Sequence, residues 1–138
     1  MEAKLQELKQ RLMEVYDLRY VGALLDWDQA TYMPSGGSPA RARQLAIVAR
    51  IAQEKFTDPA IGRLLDELEP WAEQLPYDSD EASLVRISRR EYERALKVPP
   101  SFLGEFYAHS AASYHAWTKA RSANDFKAVR PYLEKTVD

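Results

Sequence analysis

Apolar residues recur at helical spacing along this chain, and proline and glycine cut it at intervals; together these leave room for little but a helical fold. Leu5, Leu8, Leu12 and Val15 are spaced 3, 4 and 3 apart, which puts them on one side of a helix. Val15, Leu18, Gly22 and Leu25 repeat the spacing on a slightly rotated stripe. A first helix from about Glu2 to Asp26 follows, long for a globular helix. It is predicted to end in the stretch Trp27 to Ser38, where Pro34, Gly36 and Gly37 break any regular pattern. Ser38-Pro39 then offers an N-cap and a proline at the first helical position, where the missing N–H costs nothing. Leu45, Val48, Ala49, Ala52 and Phe56 form the expected buried face of this second helix.

Thr57-Asp58-Pro59 repeats the cap-plus-proline device and predicts a third helix closed by Pro70. Asp78, with Glu81 three residues later, predicts a capping box and a fourth helix running to about Lys97, before Val98-Pro99-Pro100. A fifth runs from Ser101 to Arg121, with Leu103, Phe106, Ser110, Tyr114 and Trp117 on one stripe. Asp125 is placed to cap a last turn, and Pro131 to start or kink a final segment. No alternating β-branched run marks a strand. The expected fold is therefore all-α: one helical domain over residues 1–138, of five to six helices in an antiparallel bundle, the first helix long. Tyr132 to Asp138 still looks helical and carries no stop signal, which leads to the expectation of a chain cut inside an element.

Composition narrows the chemistry. The chain has 19 Lys and Arg against 21 Asp and Glu, a net charge of −2. That balance gives no basic surplus for gripping a nucleic acid. No apolar run approaches the roughly 20 residues of a membrane span, and the charged start is no signal peptide. A cytoplasmic protein is expected. The absence of cysteine removes disulfides, thiolate metal sites and a Cys nucleophile. By size scaling, a chain this long exposes about 7,300 Å² when folded compactly and about 23,000 Å² unfolded, enough to build a core.

Candidate sites are few. His109 and His115, the two histidines, sit about 120° apart around a helix and cannot act as the i, i+4 pair of an HExxH site. They read as helix-surface residues. Gly36-Gly37-Ser38 lacks the Gly-Lys-Ser/Thr ending of a phosphate loop and reads as a tight turn. Arg86, Arg90 and Arg94 share a face of the fourth helix with Glu91 and Glu93 nearby, which reads as an ion-paired surface. Asp26 and Asp28 flank Trp27 and diverge on a helix, so they make no paired-carboxylate site. Asp28 reads as a structural partner for backbone donors or an arginine. Trp27, Trp71 and Trp117, with Tyr114 and Phe106, read as core or interface.

The run Trp27-Asp28-Gln29-Ala30-Thr31-Tyr32-Met33-Pro34, followed by Gly37 and Arg41-Ala42-Arg43-Gln44, is distinctive as a whole. It resembles the N-terminal part of the carboxypeptidase Taq family of HExxH metallocarboxypeptidases. Three later pieces agree in order: Thr57-Asp58-Pro59 with Ile61-Gly62; Arg89-Arg90 with Tyr92, Arg94-Ala95 and Val98-Pro99; and Trp117 with Ala120-Arg121 and Asp125-Phe126. The resemblance implies a helical, cytoplasmic, homodimeric enzyme that removes C-terminal amino acids from peptides. It further implies a divalent metal, zinc or cobalt, held by the HExxH histidines and a downstream glutamate, with the motif's own glutamate as general base.

In that family those residues lie beyond the equivalent of Asp138. The resemblance therefore gives this chain no catalytic residue, no metal ligand and no cofactor of its own, and makes it a cap over the substrate groove of the remainder of the enzyme. Trp27, Asp28 and Gln29 are the residues expected to face that groove. The alternative is a stand-alone, non-catalytic helical module that binds a peptide or protein partner.

Overall fold

A computed structural model describes every residue from Met1 to Asp138 and contains six α-helices and no strand. They are α1 (Glu2–Thr31), α2 (Ser38–Phe56), α3 (Pro59–Ala72), α4 (Asp80–Ala95), α5 (Pro100–Ala123) and α6 (Phe126–Val137), with a single 3-10 turn, Ser35–Gly37, before α2. The all-α expectation holds, and α1 is indeed the long helix, at 30 residues. No helix is long and apolar enough to cross a membrane.

Paired residues set the helix directions. Between α1 and α2, Glu14 meets Lys55, Gly22 lies against Val48, and Asp28 meets Arg41. One number falls as the other rises, so the two helices run antiparallel. The same holds for α1 against α3, through Lys4–Glu67 and Arg11–Asp58. It holds again for α3 against α4, through Asp66–Arg89 and Gly62–Tyr92. Helix α2 packs on both α1 and α5, and α6 folds back on α5.

Several boundaries differ from the sequence expectation, each for a local reason. Helix α1 runs past Asp26 to Thr31, because nothing before Pro34 forces it to stop. The Tyr32 and Met33 N–H groups both donate to the Asp28 carbonyl, and Pro34 leaves in an extended conformation. Trp27, Asp28 and Gln29 are thus helical rather than part of a loop. Gly37, not Ser38, occupies the N-cap of α2, and the Ser38 hydroxyl instead lies 3.4 Å from His115 Nδ1 on α5.

Pro70 does not close α3 but sits inside its last turn. The lost backbone bond is offset by Trp71 and Ala72, which continue the helix onto the core. Ser79 rather than Asp78 caps α4, accepting from the Ala82 N–H at 3.3 Å. Asp125 caps α6 as expected, by accepting from Ala128 N–H, so α6 starts at Phe126 and Pro131 lies within it.

The core is lopsided. Leu5, Leu8, Leu12 and Val15 of α1 meet Ile61, Leu64, Leu65 and Leu68 of α3, with Phe56, Val85 and Tyr92 completing the cluster. From α5 and α6 only Ala120 and Val129 are buried. The stripe expected to anchor α5 is largely in solvent: Phe106, Tyr114 and Trp117 are each nearly half exposed, and Ser110 is exposed. The accessible surface is 9310 Å², about 2,000 Å² above that of a compact chain of this mass. Burial is concentrated around α1 and α3, while α5 and α6 keep much of their surface in solvent.

Candidate functional site

The end of α1 carries the three residues expected to face a groove, and the structure sends them in three directions. Successive helical residues point about 100° apart. Trp27 projects outward at 55% exposure, its ring 5.5 Å from that of Tyr32. Asp28 turns toward α2, where its Oδ2 lies 2.5 Å from Arg41 Nη2. Arg41 Nη1 also donates to the Leu25 carbonyl. Gln29 turns into the cleft between α1, α2 and α5.

That cleft holds a cavity of about 250 Å³, lined in part by Asp26, Gln29, Leu45, Tyr107 and Tyr114. Gln29 Oε1 is buried there without a hydrogen-bond partner. Of the three expected groove residues, Gln29 alone lines it. The lining offers an amide, a carboxylate, a serine hydroxyl and two phenols, a set suited to hydrogen bonding along a polar chain. Arg41 holds the Asp28 carboxylate that sequence reasoning gave to an arginine or to backbone donors.

The histidines hold the helices together. His109 Nε2–H donates to the Tyr132 carbonyl at 3.0 Å, and its ring stacks on that of Tyr132 at 6.1 Å, which ties α5 to α6. His115 faces Ser38 of α2. Nowhere are three or more His, Cys, Asp or Glu side chains brought together as a metal-holding group. The residues present therefore do not fit the metal that the resemblance implies for the whole enzyme.

The arginines of α4 are engaged as a solvated face. Arg86 lies over the Tyr77 ring at 3.9 Å and donates to the Tyr77 carbonyl. Arg90 and Arg94 approach Glu91 at 3.4 and 3.9 Å. Sequence reasoning missed Gln53, which is 7% exposed and donates to the Ala95 and Val98 carbonyls at 2.8 and 3.0 Å. Ala95 ends α4 and Val98 lies in the turn after it, so Gln53 ties down the exit of that helix. A glutamine one residue from the apolar Ala52 was the available signal.

The profile of the carboxypeptidase Taq (M32) metallopeptidases matches residues 7–138. This chain belongs to that family. Thermostable carboxypeptidase 1 of Thermus thermophilus is 37% identical over 136 residues, which is 97% of this chain and 26% of that protein. Carboxypeptidase 1 of Bacillus subtilis is 28% identical over 116 residues, 84% of this chain and 23% of that protein. Among solved structures, one described as BsuCP superposes with a TM-score of 0.88 at 26% identity, covering 96% of this chain and 26% of that one. The M32 carboxypeptidase of Deinococcus radiodurans R1 gives 0.70 at 38% identity, covering 99% and 27%. The chain spans about a quarter of the length of the relatives it matches.

Proposed function

We propose that residues 1–138 form a single helical domain, the N-terminal cap of a metal-dependent carboxypeptidase that removes C-terminal amino acids from peptides. The observation that carries this reading is the match of nearly the whole chain to about a quarter of M32 carboxypeptidases. The metal, zinc or cobalt by the family resemblance, would be held outside these residues, which contain no HExxH sequence. When bound, such a metal supplies Lewis acidity and lowers the pKa of a bound water.

The work of this chain is binding, orientation and exclusion of water. The Gln29 cavity offers hydrogen-bonding groups to an extended peptide, while the exposed Tyr32 ring just past α1 presents an aromatic face to apolar side chains. Arg41 keeps that end of α1 in place through Asp28 and the Leu25 carbonyl. A wall of this kind raises the strength of electrostatic contacts in the groove by keeping bulk water out. The assembled enzyme is proposed to be a cytoplasmic homodimer.

The test is a chimera in which these 138 residues replace the matched quarter of Thermus thermophilus carboxypeptidase 1. The reading expects metal-dependent release of C-terminal residues from a synthetic peptide. A folded, metal-loaded chimera that releases none would refute it.

A further inference from the structure

Helix α1 carries a second apolar stripe that the core does not use. Met13, Tyr16, Tyr20, Leu24 and Trp27 are 49–72% exposed. Their spacings are 3, 4, 4 and 3, a mean period of 3.5 residues. At about 100° per residue they fall within an arc of about 80°, well round the helix from Leu5, Leu8, Leu12 and Val15. The stripe is about 21 Å long. A period of 3.5 is the pattern by which one helix lies along another with knobs entering holes. A sheet edge or a bound small molecule demands no such period.

Resting on the family reading, we infer that this stripe is the seam for a long helix of the remaining three-quarters of the carboxypeptidase fold. Three observations favour that occupant. The relatives whose structures superpose on this chain are about four times its length, so most of their mass lies outside the matched region. The chain exposes about 2,000 Å² more surface than a compact molecule of its mass. A second copy is disfavoured by area: a strip about 21 Å by 10 Å covers about 200 Å² per side, whereas a stable pair of separate chains needs about 500 Å². A helix joined to the same fold escapes the entropy cost of association that sets this requirement.

The experiment compares the doubly substituted Tyr20→Glu, Leu24→Glu variant in two settings: the 138-residue chain alone, and the Thermus thermophilus chimera. In the isolated chain the stripe faces water, and the expected fall in Tm is within about 3 °C. In the chimera the same change puts two charges into a packed seam, and Tm is expected to fall by more than about 5 °C. Leu24→Met is expected to leave the chimera within about 2 °C of its parent, since it conserves volume. Arg63→Glu, at an exposed position on α3, is expected to act equally in both settings. Equal small shifts for the Tyr20, Leu24 variant in both settings would overturn the inference. So would an isolated chain that sediments as a dimer which these substitutions dissolve. The parent chimera's peptidase activity is read separately, so an inactive but folded chimera refutes the functional reading while the Tm comparison still judges the seam.

Discussion

Arg41 grips α1 at two points, with Nη2 lying 2.5 Å from Asp28 Oδ2 and Nη1 donating to the Leu25 carbonyl. The Arg41 side chain is 12% exposed and that of Asp28 is 37% exposed, so the pair is only partly shielded from water. Removing one member leaves the other poorly solvated. Arg41→Ala is expected to lower stability by about 2 kcal/mol, and Asp28→Asn by about 1 kcal/mol. The double variant should lose less than the sum, because the two share one interaction. Urea unfolding of the four proteins checks this, and strict additivity would show that the contact contributes nothing.

Gly62 touches Tyr92 where α3 crosses α4. A Cβ at Gly62 would lie 2.7 Å from the Tyr92 hydroxyl oxygen and 3.1 Å from its ring, and Tyr92 is buried with its ring edge-on to Phe56. Glycine to alanine in a helix ordinarily gains about 1 kcal/mol. Here overpacking outweighs that gain, and Gly62→Ala is expected to lose about 1–2 kcal/mol net. Gly104, with nothing within 4 Å of its notional Cβ, is the control: Gly104→Ala should gain about 0.5–1 kcal/mol. Calorimetric Tm shifts of opposite sign from the parent are the expected result.

Gln53 donates to one carbonyl at the end of α4 and one in the turn after it, from a buried position on α2. Gln53→Leu keeps the volume close but leaves the Val98 carbonyl unpaired and takes one of two partners from the Ala95 carbonyl, at an expected cost of about 1–2 kcal/mol. Amide exchange should localise the damage: Lys97 and Val98, whose N–H groups bond back to Arg94 and Ala95, are expected to lose protection first. Uniform loss of protection across the chain would contradict this role.

The Glu14 carboxyl titrates below its ordinary value of 4.5, chiefly because Lys55 Nζ donates to it at 2.7 Å and adds its positive charge. A carboxyl depressed in the folded state stabilises the fold above its unfolded pKa, and that contribution is lost as pH falls through the folded value. Both groups are open to solvent, so salt screens the contact. NMR titration should place Glu14 below its value in the Lys55→Met variant at low salt, with the difference shrinking in 1 M NaCl. A salt-independent difference would point to a cause other than the ion pair.

Much of this architecture is written in local patterns. Leu5, Leu8, Leu12 and Val15 announce a buried face by spacing alone, and the structure buries all four. Asp58 and Asp125 cap helices as their positions before helical runs predict. The misses have a common cause, which is tertiary contact. Pro70 stays helical because Trp71 and Ala72 have a core to reach, and Ser38 gives up its cap for His115. The α5 stripe shows the reverse: Phe106, Tyr114 and Trp117 carry the apolar pattern of a buried face, yet the helices packed on α5 leave each of them nearly half exposed. At the candidate site, sequence motifs marked Trp27, Asp28 and Gln29 together, but only the helical rotation of α1 reveals that Gln29 alone enters the cavity. The Arg41–Asp28 contact spans two helices, and no spacing rule in one segment could name it as a pair.

The central proposal is that these residues form part of a metal-dependent carboxypeptidase whose bond-breaking groups lie outside them. It is tested most directly by incubating the 138-residue chain with a synthetic peptide and excess zinc or cobalt, and following the peptide by mass spectrometry. The account expects the peptide to remain intact over many hours. Stepwise loss of C-terminal residues, abolished by a chelator, would contradict it.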